Sequence, residues 1–156
     1  MRLPELERLL QDLVGEVVTA KRIAGNSLSL WFSVAPKALT ARRIWVDPPW
    51  RIETSNGLES SSYGFPGDKD ENETEEQYRA RFETACANSN CLEGNTLASA
   101  SVDHHTSDLI LQFRDGRVLR QFAVDLTYEN WHFTDCASRT RYGVLVTGIE
   151  IETIDA

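Results

Sequence analysis

The chain has 156 residues, 41% of them hydrophobic and 26% charged, enough to bury roughly 70% of its unfolded surface in one core without disulfide staples. Its formal net charge of −8 repels phosphate backbones and attracts basic partners, so direct nucleic-acid binding is not expected. No run approaches the ~18 apolar residues of a membrane span. Cys86, Cys91 and Cys136 are spaced for neither a zinc ribbon nor a CxxC pair and read as reduced thiols.

The chain opens with MRLPELERLLQDLVG. Leu3, Leu6, Leu10 and Leu13 recur at helical spacing, Pro4 suits a first turn, and Gly15 can stop the helix. Glu5, Glu7 and Arg8 interrupt the apolar core that a signal peptide requires, which places the protein in the cytoplasm as an expectation. Three strands then follow as EVVTAKRIA, SLSLWFSV and ALTARRIWV, with turns at Gly25-Asn26 and around Pro36. Val46-Asp47-Pro48-Pro49-Trp50 closes this first meander.

The second half repeats the scheme. Leu92 and Gly94 echo Leu13 and Gly15; Leu109 to Phe113 echoes Leu28 to Phe32; Asp125 and Trp131 echo Asp47 and Trp50, all at separations of 78 to 81 residues. Arg114-Asp115-Gly116-Arg117 reads as a two-residue hairpin turn with Asp-Gly at its positive-φ positions. An aspartate at a strand end caps a turn by accepting backbone N–H bonds, so Asp47 and Asp125 read as structural. Trp50 and Trp131 read as core-edge anchors, each ring covering the open end of a unit while its indole N–H reaches a carbonyl.

Between the units lies an insertion over residues 53–91, irregular through Gly67 and then helical. Thr74 and Gln77 have capping-box spacing, and Tyr78, Phe82 and Ala85 form an apolar face. Asp68, Asp70, Glu71, Glu73, Glu75 and Glu76 place six carboxylates in nine residues, opposed only by Lys69. First-turn acids stabilise a helix through its dipole, which accounts for some of the six. At the other end of the chain, YGVLVTGIEIETIDA reads as one long strand over 142–154 with a bulge at Gly148, carrying Glu150 and Glu152 as a second acidic strip.

Catalytic readings are weak. Asp103-His104-His105 matches the DHH triplet of manganese phosphoesterases but lies in an expected turn, without the further aspartate motifs of those enzymes. A metal site from His104, His105 and His132 conflicts with the alternation of a strand, which points adjacent side chains to opposite faces; surface histidines are expected instead. Cys86 falls on the apolar side of the inserted helix, where a thiol acts as a small hydrophobe. No GxSxG elbow, P-loop or GxGxxG is present.

The expected fold is α+β: antiparallel β-sheet from two related meanders, over about 13–52 and 92–133, with an N-terminal helix and one inserted helix in a single domain over 1–156. The pattern of Gly15, Leu28, Leu30, Phe32, Asp47 and Trp50, repeated as Gly94, Leu109, Leu111, Phe113, Asp125 and Trp131, resembles that of small bacterial immunity proteins of contact-dependent growth inhibition and related polymorphic toxin systems. The resemblance implies a non-enzymatic inhibitor, without a cofactor, that binds a cognate toxin domain, commonly a basic nuclease. On this reading the contact surface centres on Asp68, Asp70, Glu71, Glu73, Glu75 and Glu76, with Glu150 and Glu152 second. The alternative is a small-molecule module or small enzyme with its pocket between the repeats. Partner identity, oligomeric state and the choice among single sheet, sandwich and partial barrel stay open.

Overall fold

The computed structural model describes residues 1–155. Helix α1 (Leu3–Gln11) leads into β1 (Val18–Ala24), β2 (Ser27–Phe32), β3 (Arg42–Val46), β4 (Trp50–Thr54) and β5 (Gly57–Ser61). Helix α2 (Glu75–Asn88) then precedes β6 (Leu97–Val102), β7 (Leu109–Phe113), β8 (Val118–Gln121), β9 (Trp131–Asp135), β10 (Thr140–Leu145) and β11 (Gly148–Thr153). The fold is α+β, with two antiparallel sheets ordered β1-β2-β3-β9-β10-β11 and β5-β4-β8-β7-β6.

That order reveals what the repeat does. Each unit contributes a three-stranded meander to one sheet and sends its following strands across to the other, β4 and β5 from the first unit and β9, β10 and β11 from the second, so β3 pairs with β9 and β4 pairs with β8. The units are therefore exchanged, and each sheet is complete only with strands from both. They also meet about an approximate two-fold axis. Val17 bridges Thr96; Gly15 N–H donates to Leu97 O (2.8 Å) as Gly94 N–H donates to Val18 O (2.8 Å). Both glycines take positive φ, +91° and +78°, where a side chain would be strained. Even the bulges correspond, falling at Val18/Ala20 in β1 and at Leu97/Ser99 in β6.

The two sheets share a single core built from Leu28, Leu30, Phe32, Ile44 and Val46 on one side and Leu97, Leu109, Leu111, Phe113 and Leu119 on the other. Helix α1 buries Leu6 and Leu10 completely, and Leu13 beyond it; full burial of each such side chain contributes on the order of 2 kcal/mol. The same helix satisfies the outer edge of β6, since Gln11 Nε2 donates to Ala100 O (2.6 Å) and Val102 N–H donates to Glu7 Oε1 (3.0 Å). The two tryptophans close the ends symmetrically: Trp50 Nε1 donates to Asn26 O (2.7 Å) and Trp131 Nε1 to Ser107 O (2.8 Å).

Two local expectations need correction. The segment 142–154 is not one strand with a bulge but the hairpin β10–β11, turning at Val146-Thr147 and resuming at Gly148. The β7–β8 connection is a three-residue loop: Phe113 N–H bonds to Arg117 O (2.9 Å), and only Gly116 in the turn takes positive φ. A type I turn followed by one left-handed residue needs just that glycine.

Candidate functional site

The acidic insertion is a braced structure. Thr74 caps α2, its hydroxyl accepting from Gln77 N–H (3.1 Å) while the Gln77 side chain accepts from Thr74 N–H (2.9 Å). Arg81, two turns on, clamps Glu73 with both Nε (2.6 Å) and Nη2 (2.7 Å) and lies 3.7 Å from Asp70. This guanidinium holds the Glu73 carboxyl below the usual carboxylate range. Lys69 pairs with Glu75. Asp70, Glu73 and Glu75 are thus spoken for internally, whereas Asp68, Glu71 and Glu76 are exposed and make no ion pair among the described residues. The braced segment lies against α2 beside the five-stranded sheet. Glu150 and Glu152 stand on β11 of the six-stranded sheet.

A second surface, which the sequence reading did not single out, surrounds the start of β9. The loop between β8 and β9 exposes three large apolar side chains, Val124 (61%), Leu126 (79%) and Tyr128 (72%). It is nevertheless tightly held. Asp125 Oδ1 accepts Thr127 N–H and Tyr128 N–H (both 2.8 Å), and these two bonds keep its carboxyl below the ordinary value. The buried Asn130 brackets the loop, its Oδ1 accepting Asp125 N–H (2.9 Å) and its Nδ2 donating to Asp125 O (3.0 Å). Asn130 is in turn tied to both neighbouring strands' ends, through its N–H to Val144 O (2.8 Å) and its O from Asp47 N–H (3.0 Å).

Asp125 therefore accepts backbone N–H groups as expected of a turn aspartate, but Asp47 does not. Its carboxylate accepts the Ser27 hydroxyl and the Trp45 indole N–H (2.8 Å). The two aspartates are not equivalent, because the first crossing between sheets is made by Pro48-Pro49 and the second by the longer 122–130 loop.

Next to that loop, the outer face of the six-stranded sheet carries a row of flat, interlocking side chains. Trp31 lies opposite Arg43, Trp45 opposite His132, and Arg141 opposite Thr134 and Glu152. The Arg43 guanidinium sits 5.7 Å from the Trp31 ring and 5.9 Å from that of Trp45, and Trp45 stacks on His132 at 5.9 Å with planes 4° apart. His132 is buried, at 6% exposure, contrary to the expectation of a surface histidine. Its Nδ1 meets Glu129 Oε1 at 2.7 Å and its Nε2 meets Arg43 Nη2 at 3.3 Å. A carboxylate only accepts and an arginine only donates, so the proton on Nδ1 goes to Glu129 and Nε2 accepts from Arg43; Arg141 Nη2, 3.1 Å from Nδ1, is then a close contact and not a donor to the ring. Burial lowers the imidazole pKa below 6.5, with Glu129 opposing and Arg141 and Arg43 reinforcing the shift. Glu129 also accepts from Arg141, which reaches on to Glu152 Oε2 (2.8 Å). Glu129 lies over Gly143, where an added Cβ would come within 2.0 Å of its carboxylate.

The other two histidines are exposed, as expected. His104 Nε2 meets Glu7 Oε2 at 2.9 Å, and Asp103 accepts the backbone N–H of His105 (2.7 Å) and Thr106 (3.0 Å) in the β6–β7 turn. The Asp103-His104-His105 triplet thus sits in a turn that its aspartate folds. Burial raises the thiol pKa of Cys86 and of Cys91. The space between the two units, where a ligand pocket was the alternative expectation, is filled by the shared core. A separate cleft of about 580 Å³ lies at one end of the six-stranded sheet, where Leu39 and Ile154 contribute to an apolar lining.

Compared with protein-family models, with curated proteins and with solved structures, the chain matches none. Among the described residues no helix is long and apolar enough to cross a membrane.

Proposed function

We propose that this protein is a non-catalytic binding protein of the immunity type, which captures and neutralises a basic toxin domain. The observation that carries the reading is the braced display of Val124, Leu126 and Tyr128. A chain that commits a buried asparagine and a turn aspartate to holding large apolar side chains in water has prepared them for burial elsewhere. An apolar centre with a polar rim is how protein interfaces concentrate their binding energy, and a loop already fixed avoids the ordering cost on association. Here Glu129, Arg141 and Glu152 supply the neighbouring polar groups.

The charge supports the same reading. With a net charge of −8 and with Asp68, Glu71, Glu76 and Glu150 free of ion pairs among the described residues, the protein steers a basic partner toward itself and repels acidic ones. The acidic segment serves rate and selectivity, while the apolar loop supplies residence time.

Capture from the native cell at low and high salt, followed by mass spectrometry, tests the proposal. The expected result is one basic partner held at equal stoichiometry, lost from the Leu126→Ala/Tyr128→Ala variant. Co-expression of that partner's toxic domain with the wild-type protein then restores growth. A captured partner whose toxicity is undiminished by co-expression would overturn the immunity reading.

A further inference from the structure

Three of the four outer strands have cover. The β6 edge is satisfied by Gln11 and Glu7 of α1. On β1, Lys21 N–H donates to Glu93 Oε1 (3.0 Å), and Lys21 Nζ ties the strand to Cys86 O (2.7 Å) at the end of α2. Helix α2 also stands beside β5, with Ala85 and Asn88 facing Leu58 to Ser61 across a narrow groove. In the second unit the position equivalent to that helix is taken by β11, and β11 has nothing beyond it among the described residues.

The pairing fixes which backbone groups are left over. Bonded and non-bonded pairs alternate along an antiparallel ladder, and Ile154 N–H donates to Arg139 O (2.9 Å). The pairs Glu152–Arg141, Glu150–Gly143 and Gly148–Leu145 are therefore the bonded ones, and Ile149, Ile151 and Thr153 turn N–H and C=O away from β10. That is an open edge about 20 Å long. Proteins usually blunt such an edge with charged side chains, a proline, a bulge or an overlying element; GIEIET has no proline, pairs with β10 without a bulge, exposes Ile151 at 52%, and carries charge of one sign only, on Glu150 and Glu152.

The side chains say what fits there. Glu150 and Glu152 point to the outer face of the sheet, and Ile149 and Ile151 to the other. A second copy of β11 pairing antiparallel about Ile151 would set Glu150 opposite Glu152 twice, which like-charge pairing disfavours. A strand with Lys or Arg on the outer face and apolar residues on the inner one meets both requirements.

We propose that β11 is a docking edge that accepts an extended segment of the partner, alternating basic and apolar residues, as a seventh strand of the sheet. The proposal rests on the reading that the partner is a basic protein. Backbone bonding at Ile149, Ile151 and Thr153 supplies the affinity, and Glu150, which has no ion pair among the described residues, selects the charge of the segment.

The probe is a capped hexapeptide, Lys-Val-Lys-Ile-Lys-Val, at millimolar concentration, with Glu-Val-Glu-Ile-Glu-Val as its charge-reversed control. The readout is amide hydrogen exchange resolved by residue. The lysine peptide is expected to slow exchange about tenfold at Ile149, Ile151 and Thr153, leaving Glu150 and Glu152, already bonded to β10, unchanged. The Glu150→Lys variant should lose that protection and gain it from the glutamate peptide, with exchange in β3 and β9 reporting an intact fold. Equal protection by both peptides, protection by neither, or protection that rises with protein concentration alone would overturn the proposal. No cognate partner is needed, so a negative result here leaves binding through the 124–128 loop standing. A positive one alongside an acidic captured partner would instead remove the immunity reading.

Discussion

His132 shows what a single residue position conceals. It stands between Trp45 and the Glu129–Arg141 pair with Arg43 at its far nitrogen, and burial depresses its pKa below 6.5. Unfolding releases it to its ordinary value, so below pH 6.5 the unfolded chain takes up a proton that the folded chain refuses. Stability should therefore fall as pH drops from about 7 toward the depressed folded pKa. Urea midpoints at pH 7.5 and 5.5 are expected to differ less in His132→Gln than in wild type. An identical difference in the two would show that this imidazole is not what the acid slope reports. Nothing local in the sequence betrays this environment, because Arg43 and Trp45 reach His132 from a strand almost ninety residues earlier. Trp50 and Trp131 were legible for the opposite reason: duplication puts each at the same separation from the carbonyl it binds, Asn26 and Ser107.

Among elements, the 122–130 loop and the β10–β11 hairpin escaped the sequence for different reasons. In the hairpin, Val146 and Thr147 are β-branched residues that suit a strand, and alternation resumes on the far side of them. The only trace of the turn was the slip at Gly148, which reads equally well as a bulge. In the loop, polar and apolar residues alternate as they would in a half-buried strand, and only the bonding of Asn130 fixes which of them face water. Asn130→Ala removes the acceptor of Asp125 N–H and the donor to Asp125 O. The expected cost is roughly 1–3 kcal/mol in chemical denaturation. Amide exchange should quicken at Asp125, Thr127 and Tyr128 and stay unchanged in β7. If the apolar loop is the contact surface, the same variant also loses affinity, since the loop must then be ordered on binding.

At the scale of the molecule, duplication was written plainly in the residues, but the exchange between units was not. Periodicity and turn chemistry identify meanders, whereas the choice between pairing β4 with β3's sheet or with β8 depends on contacts some 70 residues apart, which no local pattern encodes. The exchange has a consequence for folding. A chain of residues 1–66 holds β1 to β5, but β4 lacks β8, β3 lacks β9, and the apolar faces of both sheets lack their covers. A chain of residues 67–156 is deficient in the mirror-image way. Neither fragment can bury enough surface to offset the entropy of ordering itself, so each alone should show no cooperative unfolding transition. Mixed at equal concentration they have every strand partner and the whole shared core, and separate chains incur in addition only the entropy of bringing two molecules together, which the 62–74 connection spares the intact chain. Recovery of a single cooperative transition whose midpoint rises with fragment concentration is the expected outcome by circular dichroism. A fragment 1–66 that folds by itself would mean that the meander closes on its own hairpin, and that the exchanged arrangement is not what holds this protein together.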